Sequence, residues 1–301
     1  MMRNNEKSSC KLDMIVKLWA LESICVIAVG RRLHCFDPNL PENSPAKKFV
    51  KIIQEFFDTI DQLEFKPSLW RYISTSAFRK AMAMYEEEEK LIQYFIKSAH
   101  RNSSVKESEI SVLEKILAID ENLAVILAGD LIFGGVDTAI QNNLRDHLIR
   151  GDEQELYLKS VIKESMRMLP VAMGNIRVTT KPYQLFGYYV PENMQVSFGH
   201  QLLSMMDTHY PRPTEFIPDR WFVEKHHPLY HGNAHPFAFN PFGFGARSCI
   251  GRRIAEMELE IFLKIFITSF KVGWNGPPPR HRFSTLNFME TPFNFVIEDV
   301  M

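Results

Sequence analysis

The sequence predicts a mainly α-helical protein with a small β region. Three observations carry that prediction. Apolar residues recur at helical spacing through the first half of the chain. After Pro170 the pattern shifts to short runs broken by Gly, Pro and Asn, which reads as strands and turns. The linkers are short, so residues 1–301 are expected to form one continuous body with a sizeable core.

Taken in order, Leu12 to Val29 is largely apolar, with Leu18, Trp19, Leu21, Ile24 and Cys25 on a broad face. Phe49, Ile52, Ile53, Phe56, Phe57, Ile60 and Leu63 keep a 3.6 period. A third helix is expected from about Ser76 to Ser98, with the Glu86–Glu89 run as a solvated face. Glu109 to Leu117 reads as a short fourth helix, and a central helix is expected from about Glu121 to Asn142. Tyr183 to Phe198, around Gly187 and Pro191-Glu192-Asn193, reads as short strands joined by turns. Phe283 to Glu298 alternates in places and is expected as a closing hairpin.

The formal net charge of −1 gives no bulk attraction to nucleic acid. No apolar run is long enough to span a bilayer. The opening residues show neither a secretory apolar run nor an Arg-rich, acid-poor transit composition. No internal repeat or low-complexity segment is found. Cys10, Cys25 and Cys35 lack C-x-x-C spacing and read as free thiols, consistent with a reducing compartment.

Cys249 is the most informative residue. It lies in Phe242-Gly243-Phe244-Gly245-Ala246-Arg247-Ser248-Cys249-Ile250-Gly251. Gly243 and Gly245 permit backbone angles or close approaches that a side chain would block. Ile250, Ile254, Met257, Ile261 and Ile265 then recur at helical spacing, so Cys249 is placed at or just before a helix N-terminus. Unpaired amides and the positive dipole end there favour an anionic sulfur, suited to a metal. The alternative is a buried structural cysteine in a glycine-rich turn.

Three more constellations stand out. Glu164 and Arg167 sit at i, i+3, on one face of a helix that Pro170 ends; alone they read as an ordinary surface ion pair. Ala128 to Thr138 combines small residues with Asp137 and Thr138, and alone reads as a buried helix with glycines at a packing contact. His226, His227, His231 and His235 invite a metal-site reading. Pro228 and Gly232 break that segment, which favours a polar loop.

The cysteine segment resembles the haem-binding loop of the cytochrome P450 superfamily, Phe-x-x-Gly-x-Arg-x-Cys-x-Gly. It matches at Phe242, Gly245, Arg247, Cys249 and Gly251. The resemblance implies haem b bound through the Cys249 thiolate, which favours O–O cleavage. It also implies a buried triad of Glu164, Arg167 and Arg220, the last in the Pro213 to Trp221 loop, holding the cysteine loop in place. Asp137 and Thr138 would relay protons on the oxygen side. Arg247 and Arg177 would pair with haem propionates; Arg177 could equally be a surface arginine on a strand. The implied function is a monooxygenase that puts one atom of O2 into a small apolar substrate.

The likeness runs from about Leu12 to the C-terminus and is closest to the mitochondrial class of insect type. Arg252 and Arg253, with Lys159 and Lys163 one helical turn apart, match positions where that class docks an acidic ferredoxin. Ordinary surface charge is the other reading of those four. The resemblance further implies the matrix side of the inner mitochondrial membrane and peripheral membrane association.

Two departures set expectations about completeness. The family's N-terminal third or more is expected to be missing. Only positions 139–163 separate Thr138 from Glu164, too few for the rest of the central helix, a further helix and a turn. Ala139 also replaces a usual small hydroxyl residue. The chain is therefore expected as a partial domain, with a helical part over 12–142 and a second part over 155–301. A different functional class remains open beside the enzyme: a non-catalytic remnant that binds haem poorly or not at all.

Overall fold

A computed structural model describes residues 9–29, 32–37, 39–64, 66–100, 153–277, 280–283, 286–289 and 295–299. The expected helices over 109–117 and 121–142, and with them Asp137 and Thr138, lie outside the described residues.

The first three helices are α1 (Ser9–Val29), α2 (Pro45–Glu64) and α3 (Ser76–His100). Ser44 and Pro45 start α2: the Ser44 hydroxyl accepts from the Lys47 amide at 3.5 Å, and proline suits the first helical position. Thr75 starts α3 by accepting from the Phe78 amide at 3.2 Å. These helices bury their apolar stripes against one another. Leu21, Ile24 and Cys25 of α1 meet Phe49, Val50 and Ile53 of α2 and Leu91, Phe95 and Ile96 of α3. Phe49 and Phe95 pack edge to face, with centroids 5.5 Å apart.

The Glu86–Glu89 run is not one solvated face. Glu88 is buried, because helical spacing places it on the stripe shared by Met84, Leu91 and Phe95.

Helix α4 (Glu153–Met168) ends before Pro170, as a proline two residues on requires. A short β region follows. Strands β1 (Asn175–Val178) and β4 (Gln195–Phe198) pair antiparallel, and between them β2 (Tyr183–Leu185) and β3 (Tyr188–Val190) form a hairpin. The turn of that hairpin uses positive φ at Phe186 and Gly187. Helix α5 (His200–Ser204) and a run of turns lead to the cysteine loop, after which α6 (Arg252–Ser269) begins. It packs on α4 through Leu263, Leu158 and Ile162, and reaches α1 through Phe262, 5.1 Å from Trp19.

The closing hairpin is more divided than the alternation over 283–298 implies. β6 (His281–Phe283) pairs with β7 (Asn287–Met289), whereas β8 (Phe295–Asp299) pairs with β5 (Phe270–Trp274). The reason is proximity. β5 follows α6 with no intervening loop, and the Trp274 and Phe295 rings meet edge to face at 5.1 Å, fixing the register. The result is a mainly α-helical fold with a small β region.

Candidate functional site

The cysteine loop is built from sharp turns. Gly243 and Gly245 have φ of +70° and +71°, a region in which L side chains are strained. The Cys249 amide donates to the Phe242 carbonyl at 2.8 Å and closes the loop on itself. Helix α6 starts at Arg252 with Gly251 as its cap, so Cys249 stands just ahead of the helix. A Cβ on Gly251 would lie 3.9 Å from Cys249 Sγ. Cys249 is a free, exposed thiol, unlike the buried Cys25 and Cys35. Burial pushes the Cys25 thiol up to about 12, with the nearby Glu22 charge adding to the effect, so that thiol stays protonated at neutral pH.

Phe244, an unspecified position of the motif, anchors the loop to the β region. Its ring packs edge-on against Phe198, His200 and Phe237 at 5.8, 5.9 and 5.1 Å. The Arg177 guanidinium lies 5.9 Å from the same ring. Asn175 Oδ1 is paired with His200 Nε2 at 2.5 Å, and a Cβ on Gly243 would stand 3.1 Å from that oxygen. Burial, then the Arg177 charge, lowers the His200 pKa. Arg177 is thus brought to the cysteine loop on β1, where its Nη1 also donates to the Ile176 carbonyl at 2.9 Å. Arg247 is exposed within the loop.

Glu164, Arg167 and Arg220 meet in one cluster, and all three are completely buried. Arg167 grips Glu164 through both oxygens at 2.9 Å. The Glu164 Oε1 atom also accepts from Arg220 Nε at 3.2 Å and the Ile217 amide at 3.0 Å; Oε2 accepts from Trp221 Nε1 at 3.0 Å. Arg167 further donates to the Ser204 and Glu215 carbonyls at 2.9 and 3.2 Å, and Arg220 to the Arg212 carbonyl at 2.8 Å. Glu164 and Arg167 together thereby join α4, α5 and the loop from Arg212 to Trp221. Burial lowers the Arg220 pKa and the Glu164 charge opposes that shift. Burial also raises Tyr210, whose ring faces Arg167, to about 12.

The four candidate docking cations differ in freedom. Lys159 is tied to Glu155 at 2.6 Å and lies 3.9 Å from Glu260. Arg252 pairs with Glu256 at 2.9 Å, and its guanidinium lies 5.6 Å from the Phe242 ring. Lys163 is exposed and lies over the Trp221 ring, and Arg253 is exposed. The histidines at 226–235 are engaged in local structure. His227 and His235 accept from the Leu229 and Phe237 amides at 3.1 and 3.2 Å, and His231 stacks on Trp221. Among the described residues no group of three metal-binding side chains is found.

Sequence reasoning passed over Phe244, Asn175, His200 and Trp221. Only Trp221 carried a signal, as the aromatic residue directly after Arg220. The others act through contacts that no spacing announces.

The arrangement suits a flat, anionic, metal-bearing ligand such as haem. The exposed Cys249 thiol stands in a loop with open space around Gly245, where a built Cβ meets nothing within 4 Å. Arg247 on the loop and Arg177 beside it offer cations to carboxylates.

The chain resembles known proteins over most of its length. The family model described as Cytochrome P450 matches residues 1–142 and 150–297. Cytochrome P450 CYP12A2 of Musca domestica is 34% identical, covering 95% of this chain and 61% of that protein. Probable cytochrome P450 12a5, mitochondrial, of Drosophila melanogaster is 31% identical with the same coverage. The chain spans about three fifths of the length of these relatives. A crystal structure of a cytochrome P450DA mutant heme domain superposes with a TM-score of 0.72 at 15% identity, covering 96% of this chain and 68% of that one. That likeness shares the fold. This chain belongs to the cytochrome P450 family.

Proposed function

We propose that the chain carries the haem-thiolate part of a mitochondrial monooxygenase, in which the Cys249 thiolate would hold the iron of haem b. The observation that carries this reading is an exposed free thiol in a positive-φ glycine loop, backed by a fully buried charge network. Phe242, Gly245 and Gly251 shape the loop around the sulfur. Arg247 and Arg177 pair with the propionates. Glu164, Arg167 and Arg220 brace the loop, so that the sulfur keeps its position. When bound, a thiolate-ligated haem supplies O–O cleavage, with one oxygen atom going to a small apolar substrate and the other to water. Asp137 and Thr138 hold and pass the protons, since a hydroxyl both donates and accepts and a carboxylate shuttles through water.

A ferredoxin-type donor would dock on Lys159, Lys163, Arg252 and Arg253. Of these, Lys163 and Arg253 are the best placed to meet an acidic partner. Relatives named mitochondrial support that compartment, and the matrix side of the inner membrane with peripheral association is part of the reading. The test is a CO-difference spectrum of the reduced, haem-loaded chain. A red-shifted Soret band is expected and should vanish in Cys249→Ala. A haem-loaded wild type without that band would sink the proposal.

A second reading, a remnant that holds haem poorly, draws on different observations. The family match breaks between residues 142 and 150, and the house-fly relative aligns over 332 residues, more than this chain contains. These support a shortened segment after Thr138. Apolar side chains are also exposed at Met257, Ile261 and Ile265 on α6 and at Ile176, Val178 and Phe198 on the β1–β4 pair. This reading expects substoichiometric haem and aggregation on expression. Haem bound stably at one per chain would overturn it.

A further inference from the structure

Trp221 touches both the buried brace and the surface above it. Its indole N–H donates to Glu164 Oε2 at 3.0 Å. Its ring lies 5.8 Å from Lys163 Nζ and is stacked by His231 at 4.9 Å, with 25° between the planes. Phe239 packs 4.6 Å away and completes its burial, leaving Trp221 8% exposed. Lys163 is exposed.

We propose that Trp221 is a positioning residue that couples the exposed Lys163 and the half-buried His231 to the buried Glu164 carboxylate. The inference rests on the reading of Glu164, Arg167 and Arg220 as the brace of the cysteine loop. A cation over an indole face draws electron density from the ring. The N–H at the ring edge then becomes a better donor, and polarised hydrogen-bond chains strengthen one another. Lys163 therefore tightens the grip on Glu164 Oε2 without touching it. An acidic partner seated on Lys163 withdraws that cation from the ring and loosens the same bond.

His231 supplies an internal reporter. Burial, then the Lys163 charge, lowers its pKa. Lys163 and Glu164 face the stacked pair from α4, Arg220 from the same turn, and Tyr210 and Tyr230 from neighbouring loops. Of these, Lys163 is the exposed cation closest to the ring pair, so its removal is the clean perturbation.

The experiment is an indole N–H NMR spectrum of the full chain labelled at its four tryptophans. Trp221→Phe assigns the signal; if that variant does not fold, single Phe replacements of Trp19, Trp70 and Trp274 assign it by elimination. The Trp221 signal is expected to exchange with solvent at least about tenfold more slowly than the indole signals of the urea-unfolded chain. It should titrate with a midpoint below the ordinary histidine range, and the midpoint should rise in Lys163→Gln. Solvent-rate exchange at Trp221, or an unchanged midpoint in Lys163→Gln, would overturn the proposal. The CO-difference spectrum is read separately. A protected, Lys163-sensitive indole in a chain lacking the thiolate band would refute the monooxygenase reading and leave the coupling intact.

Discussion

The buried cluster around Glu164 and the cysteine loop are finished to different degrees. Around Glu164 the protein supplies its own partners: five donors converge on two oxygens, and Glu164, Arg167 and Arg220 are sealed from water. Around Cys249 residues 245–250 are exposed, and the sulfur is left accessible. A buried carboxylate must be fully paired, or its desolvation outweighs whatever it gains. A ligating thiol must instead keep an open side. The difference separates side chains that the fold saturates from side chains that it leaves open to solvent.

The largest expected effect breaks the closed half. Glu164→Ala strands two buried guanidinium groups and should cost about 3–5 kcal/mol, read from urea unfolding. If it costs less than the exposed-loop substitutions below, the contrast fails. Gly174→Ala comes next. Its Cβ would collide with the Phe198 carbonyl oxygen across the β1–β4 pair, so a loss of about 1–3 kcal/mol is expected on the same measurement.

Gly245→Ala isolates backbone strain, since nothing lies within 4 Å of the new methyl and only the φ of +71° resists it. A cost of about 1–2 kcal/mol is expected, with a matching fall in haem retention measured by absorbance. Cys249→Ser should change stability by less than about 0.5 kcal/mol, because the site is exposed. The thiolate Soret band should nevertheless disappear.

A pH experiment sharpens the contrast from a third position. Glu258 on α6 is buried, its Oε1 lacks a hydrogen-bond partner, and burial raises its pKa to about 7. A carboxyl raised in the folded state stabilises below its unfolded pKa, and that contribution is lost as pH rises through the folded value. Wild type should therefore lose stability relative to Glu258→Gln between about pH 4.5 and pH 7, by up to about 1.4 kcal/mol per pH unit. A flat difference across that window would show that Glu258 is not held protonated.

Much of this was legible in residue order. The 3.6 period around Phe49, Ile53 and Phe56 places α2, and Pro170 marks where α4 stops, because these are local consequences of side-chain spacing and a missing N–H. The spacing of Glu164 and Arg167 puts them on one face. Glu88 was misplaced because a charge run looks solvated until the opposite helices show which face is buried. The pairing of β8 with β5 was not legible, since strand partners depend on which edge the chain brings near. Phe244, Asn175 and His200 gave no signal, because a wildcard in a motif and two residues of the β region acquire meaning only when folding brings them together.

The sequence by itself determined the loop that presents Cys249: glycines at the two positive-φ positions and a helix-forming run after Gly251 are local requirements that neighbours satisfy. Tertiary structure alone decided how the buried Glu164 carboxylate is paired. It brought Ile217, Arg220 and Trp221 to Glu164 across gaps of 53, 56 and 57 positions, and it left Lys163, rather than Lys159, as the exposed cation over the indole. The physical reason is that a backbone turn is encoded by the residues that make it. A buried charge is stabilised by donors from wherever the fold brings them, and those addresses are not written in the adjoining sequence.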